Sequence, residues 1–199
     1  RCFGLRVYAR TPGAAAALTK QVTESQQAYA ILDGRAEAGP GAPAQPCFLK
    51  TYRAVIAGGP DEQLRLRASC GTICSRTAGS RVFPVKRPRK GVREAVLEYR
   101  IVETAPDGSL SLVEITLHTG RTHQIRVQFA SRKHPLYGDG KYGSERQNKR
   151  YGRSYQALYS YRLEFCFTTD AGALAPLDGQ QFQVEQVDFV TEYFPGFSL

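Results

Sequence analysis

The 199-residue chain contains no methionine and no tryptophan, has only three histidines, and is short of acid, with 18 Asp and Glu against 27 Lys and Arg. The acid shortage leaves a formal net charge of +9, which points to a polyanionic partner such as nucleic acid; the competing explanation is a basic surface kept for solubility. No apolar run approaches the roughly 18 to 20 residues that a membrane span requires, and no signal-peptide pattern opens the chain. No membrane partner and a cytoplasmic location are therefore expected. A chain without methionine that opens on Arg1 is expected to be processed or cut from something longer. Cysteine is sparse and odd in number, at positions 2, 47, 70, 74 and 166. Cys70 and Cys74 have no second pair near them, and the histidines at 118, 123 and 134 lie far downstream. A zinc site needs four convergent ligands, so no metal is expected, and the thiols fit a reducing compartment.

What is present is ordinary globular composition, 42% hydrophobic and 23% charged, in a length that suits one domain over 1–199. Residues 4–9 (GLRVYA) alternate like a strand. Thr11 and Pro12 then supply a helix cap and a first-turn proline, and the Ala-rich stretch 13–26 has strong helix propensity. A Gly, Ala and Pro-rich loop fills 34–46. Residues 48–57 (FLKTYRAVIA) read as a strand ending at Gly58-Gly59-Pro60. Residues 70–95 read as irregular and basic, with a run KRPRK at 86–90 that is either a solvated loop or a phosphate contact. The clearest signal is 96–117, where Leu97, Tyr99 and Ile101 alternate with polar residues, Asp107-Gly108 make a turn, and Leu110, Leu112, Ile115 and Leu117 return as a second strand. A helix is predicted over 121–133, with Ile125 and Phe129 on one face, and strands over 157–167 and 181–189. The element order predicts an α+β fold with a mostly antiparallel mixed sheet and flanking helices; monomers are the default.

Chemistry concentrates in Thr119–Arg126, TGRTHQIR. Arg121, His123 and Arg126 fall where a strand gives way to a helix start. Guanidinium groups there can grip a carboxylate or phosphate in a planar fork, so the segment reads as a site that holds something negative. A surface arginine pair at a helix start is the bland alternative.

The longer stretch TGRTHQIRVQFASRKHPLYGDGKYG, from Thr119 to Gly143, resembles the signature of the RluA-type RNA pseudouridine synthases. GLRVYARTPGAAAAL, FLKTYRAV and ALYSYRLEF are similar to other segments of that family in the same order. The resemblance implies the pseudouridine synthase catalytic-domain fold with its N-terminal part missing. The implied activity is isomerisation of uridine to pseudouridine in ribosomal or transfer RNA, with no cofactor. By the same resemblance Arg126 pairs with the catalytic aspartate and Tyr52 packs against the target base. Arg121, His123, Gln124 and Lys50 contact RNA or support the site, and Leu163 lines the pocket. Asp139 belongs to a Gly-Asp-x-x-Tyr-Gly segment read as structural. The family's nucleophile stands in an Arg-Leu-Asp motif just before the first strand. None of the aspartates at 33, 61, 107, 139, 170, 178 and 188 holds that place, so the nucleophile is expected upstream of residue 1. A catalytically inactive RNA-binding homologue is the alternative.

Overall fold

A computed structural model describes residues 3–59, 65–75, 79–85, 92–143, 145, 148–149 and 155–197, with the backbone alone for 65–75 and 79–81. The elements in chain order are β1 (Phe3–Gly4), α1 (Pro12–Leu32), β2 (Phe48–Ala57), β3 (Arg65–Ser75), β4 (Gly79–Val85), β5 (Arg93–Thr104), β6 (Leu110–Leu117), α2 (Gln124–Ala130), β7 (Leu158–Phe165), a 3-10 turn (Gly172–Leu177), β8 (Gln181–Gln183) and α3 (Asp188–Tyr193). The single domain expected over 1–199 is built as two compact units. One comprises Arg1–Phe3, Tyr52–Tyr159 and Glu185–Leu199; the other comprises Gly4–Thr51 and Ser160–Val184.

In the first unit the strands follow the order β2-β6-β5-β3-β4. β5 and β6 pair antiparallel from Leu97 opposite Leu117 to Thr104 opposite Ser111. This is the hairpin that the alternation predicted. At its tip Gly108 takes φ +66, and Asp107 Oδ1 accepts from the Ser109 N–H and hydroxyl at 3.0 and 2.7 Å. Leu97, Tyr99, Val113, Ile115 and Leu117 send their side chains into one core with Ala54, Ile56, Ile125, Phe129, Leu136 and Leu158. Full burial of each large apolar side chain stabilises by roughly 1.5–3 kcal/mol, so this cluster anchors α2 on the sheet. Residues 70–95, expected to be irregular, instead contain β3 and β4, paired antiparallel from Ser69 opposite Val85 to Ser75 opposite Gly79. The run 86–90 lies outside the described residues. Two further expectations change. The helix predicted over 121–133 is limited to Gln124–Ala130, because His123 is left-handed at φ 52 and cannot continue a right-handed helix. The strand predicted over 181–189 stops at Gln183. Phe189 and Val190 are buried on α3 instead.

The second unit rests on α1. Thr11 Oγ1 accepts from the Ala14 N–H at 3.1 Å, with Pro12 in the first turn. Gln21, Ser25, Ala28 and Tyr29 form one buried face, which is why the helix runs beyond the predicted residue 26. The Ser25 hydroxyl donates to the Phe48 carbonyl at 3.1 Å and tethers the start of β2. The strand predicted over 4–9 is reduced to Phe3–Gly4, since Gly4 sits at φ +103. Leu5 and Val7 nevertheless pack on the apolar core of Phe48, Leu163 and Phe165. β8 pairs antiparallel with β7 along Arg162–Glu164. The observed architecture is the predicted mixed α+β fold on a mostly antiparallel sheet.

Candidate active site

The segment that follows β6 is tied to the backbone of β5 by its own side chains. Arg121 Nε donates to the Glu94 carbonyl at 3.1 Å, Gln124 Nε2 to that of Val96 at 2.9 Å, and Gln128 Nε2 to that of Ala95 at 3.1 Å. The Thr119 hydroxyl accepts from the Val96 N–H and donates to Gln124 Oε1, at 2.9 and 2.8 Å. Gln124 Oε1 also accepts from the Arg121 N–H at 3.0 Å. A polar chain thus bends sharply at the sheet end without leaving buried donors idle. The amide of Gln124 is committed to this bend, so of its two expected roles the observed one is support.

A cavity of about 240 Å³ opens at the bend, lined by Tyr52, Leu117, Arg121, His123, Gln124, Ile125, Arg126, Gln156 and Leu158. It gathers Tyr52, Arg121, His123, Gln124 and Arg126. Lys50 and Leu163 belong to the second unit. Leu163, expected at the pocket wall, is buried in that unit's core. The Lys50 ammonium stands 5.4 Å from the Phe48 ring centre, and burial lowers its pKa.

Arg126 forms a two-pronged fork with Asp139, Nε to Oδ2 at 2.7 Å and Nη2 to Oδ1 at 2.6 Å. Its carboxylate partner within the chain is therefore the aspartate read from sequence as structural. Asp139 is fully buried, and its Oδ1 also accepts from the N–H groups of Lys141 and Tyr142 at 2.8 and 2.9 Å. Burial alone would raise its pKa. The Arg126 fork and the two backbone donors outweigh that and hold the carboxyl below the usual carboxylate range.

The rest of the Gly-Asp-x-x-Tyr-Gly segment serves the same fork. Gly138 takes φ +72. The Gly143 N–H donates to the Asp139 carbonyl at 2.8 Å, and a Cβ on Gly143 would collide with that oxygen. Tyr142 lies under the guanidinium, 5.1 Å from its ring centre, a cation–π contact. Just upstream, the loop docks on β2: the Tyr137 N–H donates to Val55 O at 2.9 Å, and Leu136 bridges Ile56.

Arg126 is thereby oriented and its far nitrogen, Nη1, carries no hydrogen bond among the described residues. Of the Arg121 guanidinium, only Nε is hydrogen-bonded among the described residues. The cavity offers two guanidinium edges and an aromatic face, a set that suits a phosphorylated, planar ligand. Among the described residues no group of His, Cys, Asp and Glu could hold a metal ion. Sequence reasoning missed Tyr142 and Gln156 as site residues, and missed Asp139 as the partner of Arg126. The available signal was a lone acid set between glycines, which burial would force to find a cation.

The sequence pattern of the RNA pseudouridylate synthase family matches residues 3–131. The uncharacterized RNA pseudouridine synthase YhcT of Bacillus subtilis is 39% identical over 117 residues, 58% of this chain and 34% of that one. Ribosomal large subunit pseudouridine synthase D of Zymomonas mobilis is 32% identical over 143 residues, 72% of this chain and 41% of that one. The solved structure of human RNA pseudouridylate synthase domain containing 1 superposes with a TM-score of 0.49 at 18% identity, over 86% of this chain and 71% of that chain. The chain spans about a third of the length of several curated relatives that it matches.

Proposed function

From the premise that the chain belongs to the RNA pseudouridylate synthase family, we propose that it isomerises uridine to pseudouridine in ribosomal or transfer RNA, acting as a cytoplasmic monomer. The reaction breaks the N1–C1′ glycosidic bond and forms a C5–C1′ bond. N1 gains a proton and C5 loses one, so no cofactor or metal enters the balance. The observation that carries this reading is the Arg126 guanidinium, locked by Asp139 and set in one cavity with Tyr52.

Asp139 is a positioning residue in this scheme. Its oxygens are occupied by Arg126 and two backbone donors, which leaves it a poor nucleophile. The nucleophile is an aspartate of an Arg-Leu-Asp motif, proposed to lie upstream of residue 1 and to be received by the Nη1 edge of Arg126. A charge-assisted hydrogen bond there keeps the carboxylate ionised. The uridine leaves its stack at a cost of a few kcal/mol. Stacking on Tyr52, worth about 1–3 kcal/mol, and phosphate contacts from Arg121 offset it. The basic run 86–90 adds salt-dependent affinity.

The test is release of tritium from RNA carrying uridine labelled at C5, measured with the full-length protein. Wild type should release the label in proportion to pseudouridine formed, and Arg126→Ala should release none. Unchanged release by Arg126→Ala would refute the role of the guanidinium. No release by wild type would favour the inactive RNA-binding homologue.

A further inference from the structure

The cavity has a histidine in its wall that the reading above does not use. His123 lines it, held in the left-handed region at φ 52, a conformation uncommon for a residue with a Cβ and kept only where the surroundings enforce it. Its Nδ1 stands 3.0 Å from Tyr142 Oη, and the two rings meet edge to face at 5.6 Å and 74°. Tyr142 Oη in turn accepts the Val82 N–H at 3.1 Å, which fixes the phenol on the sheet.

These bonds determine where the imidazole proton resides. A phenol oxygen has one hydrogen and two lone pairs. Val82 occupies one lone pair, and Tyr142 has no other hydrogen-bond partner than His123 among the described residues. Among the described residues the phenolic hydrogen finds its acceptor at Nδ1. Arg126 and Lys141 lie 5.1 and 5.9 Å from the Tyr142 ring centre and polarise the phenol towards donating. The imidazole is also kept neutral, by burial first and then by the Arg126 and Lys141 charges, which together lower its pKa despite Asp139. A neutral ring that accepts at Nδ1 carries its hydrogen on Nε2, and Nε2 has no hydrogen bond among the described residues.

We infer that Val82, Tyr142 and His123 form a relay that fixes Nε2–H as a hydrogen-bond donor in the cavity, where it admits the carbonyl edge of uracil and refuses the exocyclic amine of cytosine. The inference rests on the RNA reading for its ligand, but the relay is a property of the protein alone. Uracil presents an oxygen where cytosine presents an amino group, so a donor that cannot reverse separates the two. A free histidine or an amide side chain, able to rotate or change tautomer, would not.

Two measurements test it. Nitrogen-15 shifts of His123 in the protein without RNA should show the Nε2–H form in wild type and a mixture of both forms in Tyr142→Phe. An Nδ1–H form in wild type would overturn the relay, whatever the protein binds. Binding is then compared for two single-stranded oligonucleotides differing by one uridine-to-cytidine change, with an abasic strand as control. His123→Asn suits this arm because asparagine tolerates the left-handed backbone and its amide both donates and accepts. The uridine preference should fall roughly five- to tenfold in His123→Asn, the scale of one hydrogen bond. An undiminished preference in His123→Asn would overturn the inference. Wild type binding all three strands equally would overturn the selection of uracil, and wild type binding none of them would overturn the RNA reading, while the shifts would still report the relay.

Discussion

Two arginine–carboxylate clusters among the described residues of the first unit are built differently. Arg126 meets Asp139 through two parallel bonds, and Asp139 has no exposure and takes two further backbone N–H groups. Arg53, on β2, meets Glu114 of β6 through Nη2 at 2.8 Å. Glu114 shares its other oxygen with Arg100 of β5, whose side chain is 55% exposed. The second cluster sets one carboxylate between two guanidinium groups on neighbouring strands, and none of its residues lines the cavity. The first leaves one guanidinium edge over a cavity that also holds Tyr52. An acid anchored by backbone donors can hold a cation at a fixed angle. An acid shared by two arginines mainly offsets their mutual repulsion.

The largest expected effect of breaking this contrast is at Asp139. Asp139→Ala removes one partner of a buried pair and should cost about 3–5 kcal/mol of stability, read from the denaturant midpoint, and should abolish uridine conversion. Glu114→Ala strands the Arg53 guanidinium, whose side chain is only 6% exposed, so its cost should approach the same range, but it should leave conversion intact because the cluster lies outside the cavity. Next is Gly143→Ala, where the added methyl collides with the Asp139 carbonyl oxygen. Backbone must move, and a loss of about 1–3 kcal/mol is expected, with turnover falling alongside because the fork tilts.

Acid sharpens the comparison further. The Asp139 pKa is lower in the folded chain than in the unfolded one. Its stabilisation is therefore complete above the ordinary carboxylate range, near pH 4, and is lost as pH falls through that range towards the lower folded value. Melting curves from pH 6 to 2.5 should show this loss in wild type and a shallower one in Asp139→Asn. The smallest effect is at Arg100, where Arg100→Ala removes an exposed pair and should change stability by less than about 1 kcal/mol.

The β5–β6 hairpin was legible because its side chains are large and alternate, and α1 because alanine and its cap leave few other options. The β3–β4 pair was not, since 65–75 combines small residues, two arginines and Gly71, which carry a weak period-two signal. Val187, Phe189 and Val190 show the opposite failure: a short apolar run fits a strand as well as a helix turn, and burial decided for α3. In the site, Tyr52, Arg121, His123 and Arg126 were named from type and motif. The Arg126–Asp139 fork was not, because 13 residues separate the partners and no local rule links them. Only the docking of 134–137 on β2 brings them together.

The most direct measurement compares matched arginine-to-lysine changes in the two clusters, reading tritium release from C5-labelled uridine in RNA with the full-length protein. Lysine keeps the charge but cannot form the fork. Arg126→Lys should lose at least about a hundredfold in turnover, the scale of misplacing a catalytic group, while Arg100→Lys should turn over at the wild-type rate. Equal rates for the two variants would contradict the account.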